Sequence, residues 1–183
     1  SLLLAGPLVF RFGKAVLAKP IDNNGKAIPI NRYLDSWKSL GYSVSEDEQK
    51  VYLEGQNMVG SNANFKKSTH TGTESAILSS LFFTGDTYIK NAAEEVEIED
   101  LISFCNAIGG SVERIEPRTI KVVGTDVFRG TDFTLQSDKT DVASYATVAI
   151  MTKGNITIEG VNKTHLLSFV NILHKFGCRY EFQ

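Results

Sequence analysis

Apolar positions along this chain alternate between two helical textures. Three segments are apolar almost all round and rich in small residues: Leu2–Phe12, Ser75–Thr84 and Val142–Thr152. A helix with so little polar face belongs inside a core. Three others carry a single apolar stripe. In Ile30–Leu40 it is Ile30, Tyr33, Leu34, Trp37 and Leu40. In Ile98–Ile108 it is Ile98, Leu101, Ile102, Cys105 and Ile108, and Lys163–Phe176 follows the same pattern. That spacing predicts surface helices with one face packed inward. Short runs between them read as strands: Ala15–Ala18, Tyr42–Val44, Val51–Leu53, Thr87–Ile89, Ser111–Ile115, Thr119–Val123, Asn155–Glu159 and Cys178–Phe182. Gly6-Pro7 is expected to interrupt the first helix, and Gly13 to stop it.

The order repeats. Gly41, Gly109 and Gly177, which end the striped helices, are 68 residues apart each time, and Gly85 precedes Gly154 by 69. In that register Ile98, Leu101, Phe104 and Ile108 fall on Leu166, Phe169, Ile172 and Phe176. A matching apolar pattern at a fixed period marks an internal repeat. The expected class is α/β (α+β), built of repeated βαβαββ units with sheets outside and apolar helices inside. The units are expected at 1–55, lacking an N-terminal strand, at 56–124, and at 125–183, ending in mid-unit. A chain that starts so abruptly on an apolar helix reads as a piece of a longer protein.

Composition narrows the function. The chain has 183 residues, 42% hydrophobic and 22% charged, with a net charge of -2. That is a globular balance, without the basic field that nucleic acid requires. The opening SLLLAGPLVF is too short to cross a bilayer. Cys105 and Cys178 read as reduced, buried thiols of a cytoplasmic protein. His70, His165 and His174 have no metal-ligand spacing with them, so no metal site is expected.

Three places invite an anion. Lys67-Ser68-Thr69-His70-Thr71-Gly72-Thr73 precedes an apolar helix, where unsatisfied N–H groups and the dipole favour phosphate. The alternative is a plain polar loop capped by Thr73. Gln136–Asp141 holds the same place in the third unit, either as a ligand site between units or as a helix start capped by Thr140 or Asp141. Arg11, in an apolar helix, needs an anionic ligand, a structural carboxylate or a route to water. The acidic run Glu94–Asp100 reads as a solvated helix start.

The stretch GTESAILSSLFFTGDTYIKNAAEEVEIEDLISFCNAIGGSVERIEPRTIKVVG closely resembles the UDP-N-acetylglucosamine 1-carboxyvinyltransferases of the enolpyruvyl transferase family. SLLLAGPLVFRFGKAVLAKP and SDKTDVASYATVAIMTKGNITIEGV extend the resemblance over nearly the whole chain. The resemblance implies βαβαββ units, in two domains with the active site between them. It implies transfer of the enolpyruvyl group of phosphoenolpyruvate to the 3′-hydroxyl of UDP-N-acetylglucosamine, for peptidoglycan synthesis, with no metal or organic cofactor. It assigns substrate binding to Arg11, Pro29, Asn31, Lys67, Thr69, His70, Thr71, Asp138, Lys139 and Asp141.

Departures from the family pattern stand beside these matches. The family's loop cysteine, or aspartate, falls on Asn23, whose amide cannot transfer a proton; Asp22 beside it is the replacement acid. The loop arginine falls on Ile28, with Lys26 as a substitute charge, and the uridine-pocket aspartate falls on Asn31. The resemblance places other catalytic groups outside this chain, so the chain alone is expected to be inactive. The alternatives are a 5-enolpyruvylshikimate-3-phosphate synthase-like enzyme and a binding domain that kept the fold and lost the chemistry. The RNA 3′-phosphate cyclase branch of the fold is disfavoured by the acidic balance and by the lack of a matching nucleophilic histidine.

Overall fold

A computed structural model of the chain describes residues 1–55 and 58–182. The expected boundary between the first two repeats, at residue 56, lies outside the described residues. The chain divides into two compact units, Ser1–Phe133 and the part from Thr134 onward.

In the first unit, the segment after residue 57 forms β4 (Asn62–Asn64), α3 (His70–Ser80), β5 (Asp86–Lys90), α4 (Val96–Ala107), β6 (Ser111–Glu116) and β7 (Thr119–Val123). This is a full βαβαββ order. α3 carries the chain between β4 and β5, which are parallel, as a crossover helix allows. The hairpin β6–β7 adds antiparallel to β5, in the sheet order β4-β5-β7-β6. β4 is too short, and too rich in Asn, to announce itself in the sequence.

The preceding segment forms α1 (Ala5–Phe12), β1 (Lys14–Ala18), α2 (Asn31–Ser39), β2 (Ser43–Glu46) and β3 (Lys50–Glu54). Its sheet order, β1-β3-β2, reproduces β5-β7-β6 of the next segment. Gly6-Pro7 does not interrupt α1. The helix begins at Ala5, after a 3-10 turn at Leu2–Leu4, so Pro7 lies in the first turn, where its missing N–H costs nothing.

The core accounts for the textures of α2, α3 and α4. α3 buries Gly72, Thr73, Ser75, Ala76, Ile77, Ser79 and Ser80, leaving one half-buried stripe of His70, Glu74 and Leu78. α2 and α4 bury one stripe each, including Leu34 and Trp37 on one and Ile98, Ile102 and Cys105 on the other. α1 differs from expectation: Ala5, Gly6 and Val9 are buried, but Phe10 and Phe12 are exposed. Small residues let α1 and α3 approach closely. A Cβ on Gly6 would lie 2.5 Å from the Ser79 Cα, and Phe10 stacks on Phe82 at 4.4 Å between ring centroids.

The second unit contains α5 (Lys139–Met151), a 3-10 turn at Lys163–Leu166 and α6 (Leu167–Lys175). Val142 and Leu166 are its buried apolar side chains; α5, expected inside a core, leaves Tyr145, Val148, Ile150 and Met151 exposed. The strands expected at 155–159 and 178–182 do not form among the described residues. A strand exists only by pairing, and the apolar pattern of those residues supplies no partner.

Candidate functional site: a corner where two helices begin

Thr69 starts α3. Its backbone is extended, at φ -147° and ψ 125°, and its Oγ1 accepts the Gly72 N–H at 3.4 Å. Thr69, not Thr73, is therefore the cap. Thr73 lies inside the helix and ties it to the next segment. Its Oγ1 donates to the Thr69 carbonyl at 2.7 Å and accepts the Ala93 N–H at 3.0 Å. The sequence allowed either threonine; the extended backbone ends at Thr69, and that decides it. The N–H groups of His70 and Thr71 then fall in the first turn, outside the helix's own ladder.

α2 begins at the same place. A Cβ on Gly72 would lie 3.3 Å from the Arg32 carbonyl oxygen, 3.4 Å from the Phe65 ring and 2.5 Å from the Thr69 methyl. Ser36 Oγ donates to the Gly72 carbonyl at 3.2 Å. The first turns of α2 and α3 are thus in direct contact, and two positive dipole ends share one corner. A side chain at Gly72 would crowd the Thr69 methyl and press on the Arg32 carbonyl.

The side chains at this corner are mostly neutral or basic. Lys67 is exposed just before the cap, and Pro29 and Asn31 are exposed at the start of α2. Tyr33 follows one turn in. Burial raises its phenol above the usual range, the Thr71 side chain opposes that shift, and the Glu74 charge adds to it. Tyr33 therefore borders Thr71 and Glu74. His70 Nε2 lies 3.3 Å from Glu74 Oε1, and its Nδ1 lies 4.0 Å from Glu95 Oε1. The sequence marked none of Tyr33, Glu74 and Glu95 as a site residue; Glu95 fell in the acidic run read as a solvated helix start. Tyr33 sits on an apolar stripe that reads as core, although a tyrosine buries its ring and keeps a polar tip.

The loop that leads into α2 is a small closed hairpin. Ile21 and Ala27 form a bridge, and Ile28 N–H donates to the Pro20 carbonyl at 2.9 Å. Asp22 Oδ1 accepts the N–H groups of Asn24 at 2.9 Å and Lys26 at 2.8 Å, so the carboxylate organises the turn. Asn23 and Lys26 are exposed. Lys19 fastens the base of the loop, with Nζ 2.6 Å from Glu46 Oε2.

Arg11 does not join this corner. Gly6 sits on Ser79 and Phe10 on Phe82, so Arg11 lies beyond the C-terminal end of α3, while Thr69 lies at its start. Eleven helical residues separate those ends by about 16 Å. Arg11 is also exposed, with its guanidinium 5.8 Å from the Phe12 ring centroid, so water solvates it and no buried anion is required. A cavity of about 380 Å³ near this far end is walled by Val9, Phe10, Tyr42, Met58, Phe82 and Phe83, without a charged residue in its lining.

Asp138, Lys139 and Asp141 lie at the start of α5 in the second unit. Asp138 is the cap, its Oδ1 accepting the Thr140 N–H at 2.6 Å. That hydrogen bond holds its carboxyl below the usual range. The expected caps, Thr140 and Asp141, are inside the helix. Among the described residues no cluster of His, Cys, Asp and Glu could hold a metal ion, and no helix is long and apolar enough to cross a membrane.

The model of one family, described as EPSP synthase (3-phosphoshikimate 1-carboxyvinyltransferase), matches residues 5–182. The chain belongs to the EPSP synthase family. Within that family it is 33% identical over 186 residues to a UDP-N-acetylglucosamine 1-carboxyvinyltransferase of Coxiella burnetii, across 99% of this chain and 42% of that protein. A protein of the same name from Hydrogenovibrio crunogenus is 28% identical, across 96% of this chain and 41% of that protein. The chain thus spans about two fifths of the length of these relatives.

Solved structures share the fold. The enolpyruvyl transferase NikO from Streptomyces tendae superposes with a TM-score of 0.74 at 16% identity, over 100% of this chain and 44% of that one. EPSP synthase from Acinetobacter baumannii gives 0.72 at 20% identity, over 96% and 40%. The architecture is that of the enolpyruvyl transferases, with βαβαββ units and an apolar helix at the centre.

Proposed function

We propose that the chain is part of an enolpyruvyl transferase that moves the enolpyruvyl group of phosphoenolpyruvate to the 3′-hydroxyl of UDP-N-acetylglucosamine, releasing phosphate. Such an enzyme serves peptidoglycan precursor synthesis in the cytoplasm. The observation that carries this reading is the contact of the α2 and α3 first turns at Gly72. Two helix starts and the exposed Lys67 form a cradle for the nucleotide diphosphate. Thr69, His70 and Thr71 offer backbone N–H groups and hydroxyls on one side; Pro29 and Asn31 flank the other. Asp22 is the acid proposed for the loop, and Asn23 holds its tip. Arg11 has no part in the diphosphate cradle, and the substrate-binding roles that the resemblance assigns to Asp138, Lys139 and Asp141 belong to the same proposal.

The names of the relatives support the UDP-sugar acceptor. The family description supports a second reading, a 3-phosphoshikimate acceptor. Asn23, Ile28 and Asn31 favour a third, a binding domain without chemistry. Calorimetric titration of UDP-N-acetylglucosamine into the full-length parent protein, with and without phosphoenolpyruvate, separates them. Binding that Lys67→Ala weakens, together with phosphate release, is the expected result. Binding without phosphate release selects the lapsed domain. Phosphate release from phosphoenolpyruvate with shikimate 3-phosphate as acceptor, and not with UDP-N-acetylglucosamine, selects the second reading. The present chain by itself is expected to release no phosphate, because a cleft lacking its other groups cannot position the transition state.

A further inference from the structure

We infer that Asn24 is a site of spontaneous deamidation, which converts the amide of the 19–29 loop into a carboxylate. This rests on the loop and not on the nucleotide reading. Asn24-Gly25 is the one Asn-Gly pair in the sequence, and both residues are exposed. Gly25 adopts φ +78°, and a Cβ built on it would meet nothing within 4 Å. The peptide nitrogen of Gly25 therefore lacks the side-chain shield that any other residue would add.

The chemistry needs only water. The Gly25 nitrogen, losing its proton to solvent, attacks Cγ of Asn24. The bond from Cγ to Nδ2 breaks and ammonia leaves with a proton from solvent. The resulting five-membered imide is opened by water at one carbonyl or the other, giving aspartate or isoaspartate. Asparagine is a thermolabile residue for this reason. Native contacts oppose the attack: Gly25 N–H donates to the Asp22 carbonyl at 3.0 Å, and Asp22 Oδ1 holds the Asn24 and Lys26 N–H groups on either side. These are exposed loop bonds, of the kind that open locally without unfolding the protein. Asn23 offers an internal control, because the side chain of Asn24 crowds the nitrogen it would need.

The product changes the loop. An isoaspartate lengthens the backbone by one carbon between the two N–H groups, of Asn24 and Lys26, that Asp22 Oδ1 holds. Both products add one negative charge beside Asp22.

The test is incubation of the full chain at mildly alkaline pH and physiological temperature, beside a synthetic peptide of residues 19–30. Peptide mapping by mass spectrometry and enzymatic methylation of isoaspartate are the readouts. The expected result is loss of the side-chain nitrogen at residue 24 and not at residue 23, with isoaspartate formed. Asn24→Gln keeps the amide and should abolish the conversion, because its longer chain closes a ring poorly. If the folded chain retains its Asn24 amide after the peptide has been fully converted, the loop protects the site and the inference fails. Equal conversion at Asn23 would also overturn it, since the glycine would then have no special part.

Discussion

Replacing Gly6 by alanine tests the packing on which the first unit depends. In an unconstrained helix the change is favourable by at most about 1 kcal/mol, because glycine has more backbone freedom to lose. Here the new methyl meets the Ser79 side chain and lies 2.5 Å from its Cα. A backbone atom cannot rotate aside, so α1 and α3 must separate. Overpacking of that kind costs about 1–3 kcal/mol, and contact with backbone puts it at the upper end, for a net loss of about 2 kcal/mol. The single tryptophan, Trp37, is fully buried in this unit, so its fluorescence in urea reports the unit's unfolding. The midpoint should fall for Gly6→Ala. In a double-mutant cycle with Ser79→Gly the two changes should couple by about 1 kcal/mol or more, as for side chains in direct contact. A variant as stable as the parent, or more stable, would refute the close approach of the two helices.

Further outcomes follow from the two threonines of α3 and from the buried phenol. Thr69→Ala should cost about 1 kcal/mol as an ordinary cap loss. Thr73→Val should cost more, about 1–3 kcal/mol, because it strands the buried Ala93 N–H; urea unfolding of both variants gives the order. Burial pushes the Tyr42 phenol up to about 12 from 10.0. A folded-state value raised this way contributes stability that is complete below pH 10 and is lost as pH rises toward 12. The full loss is about 3 kcal/mol. Unfolding measured across that alkaline window should steepen for the parent and be flatter for Tyr42→Phe.

Much of the first unit follows from periodicity alone. The stripes of α2 and α4 and the all-round apolar character of α3 leave each helix one way to bury its surface. Glycines 68 residues apart mark where each striped helix stops. The strands at Tyr42–Val44, Val51–Leu53, Ser111–Ile115 and Thr119–Val123 were equally legible, because alternation and turn residues are local signals. β4 was not: three residues, two of them Asn, form a strand only because β5 presents an open edge. The strands expected at 155–159 and 178–182 show the converse, an apolar pattern without a ladder.

The candidate site divides along the same line. Residue identity was enough to mark the Lys67–Thr73 turn as a helix start, because hydroxyls before an apolar run are capping chemistry. Tertiary packing chose Thr69 over Thr73 as the cap, by enclosing Thr73 between its own helix and Ala93. It also brought the start of α2 against Gly72 and sent Arg11 to the other end of α3. Local sequence determines which residues can end a helix or face a core, since those preferences act within a turn or two of the chain. Which helix ends meet is decided by the mutual burial of surfaces far apart in sequence, and that information exists only once the chain has folded.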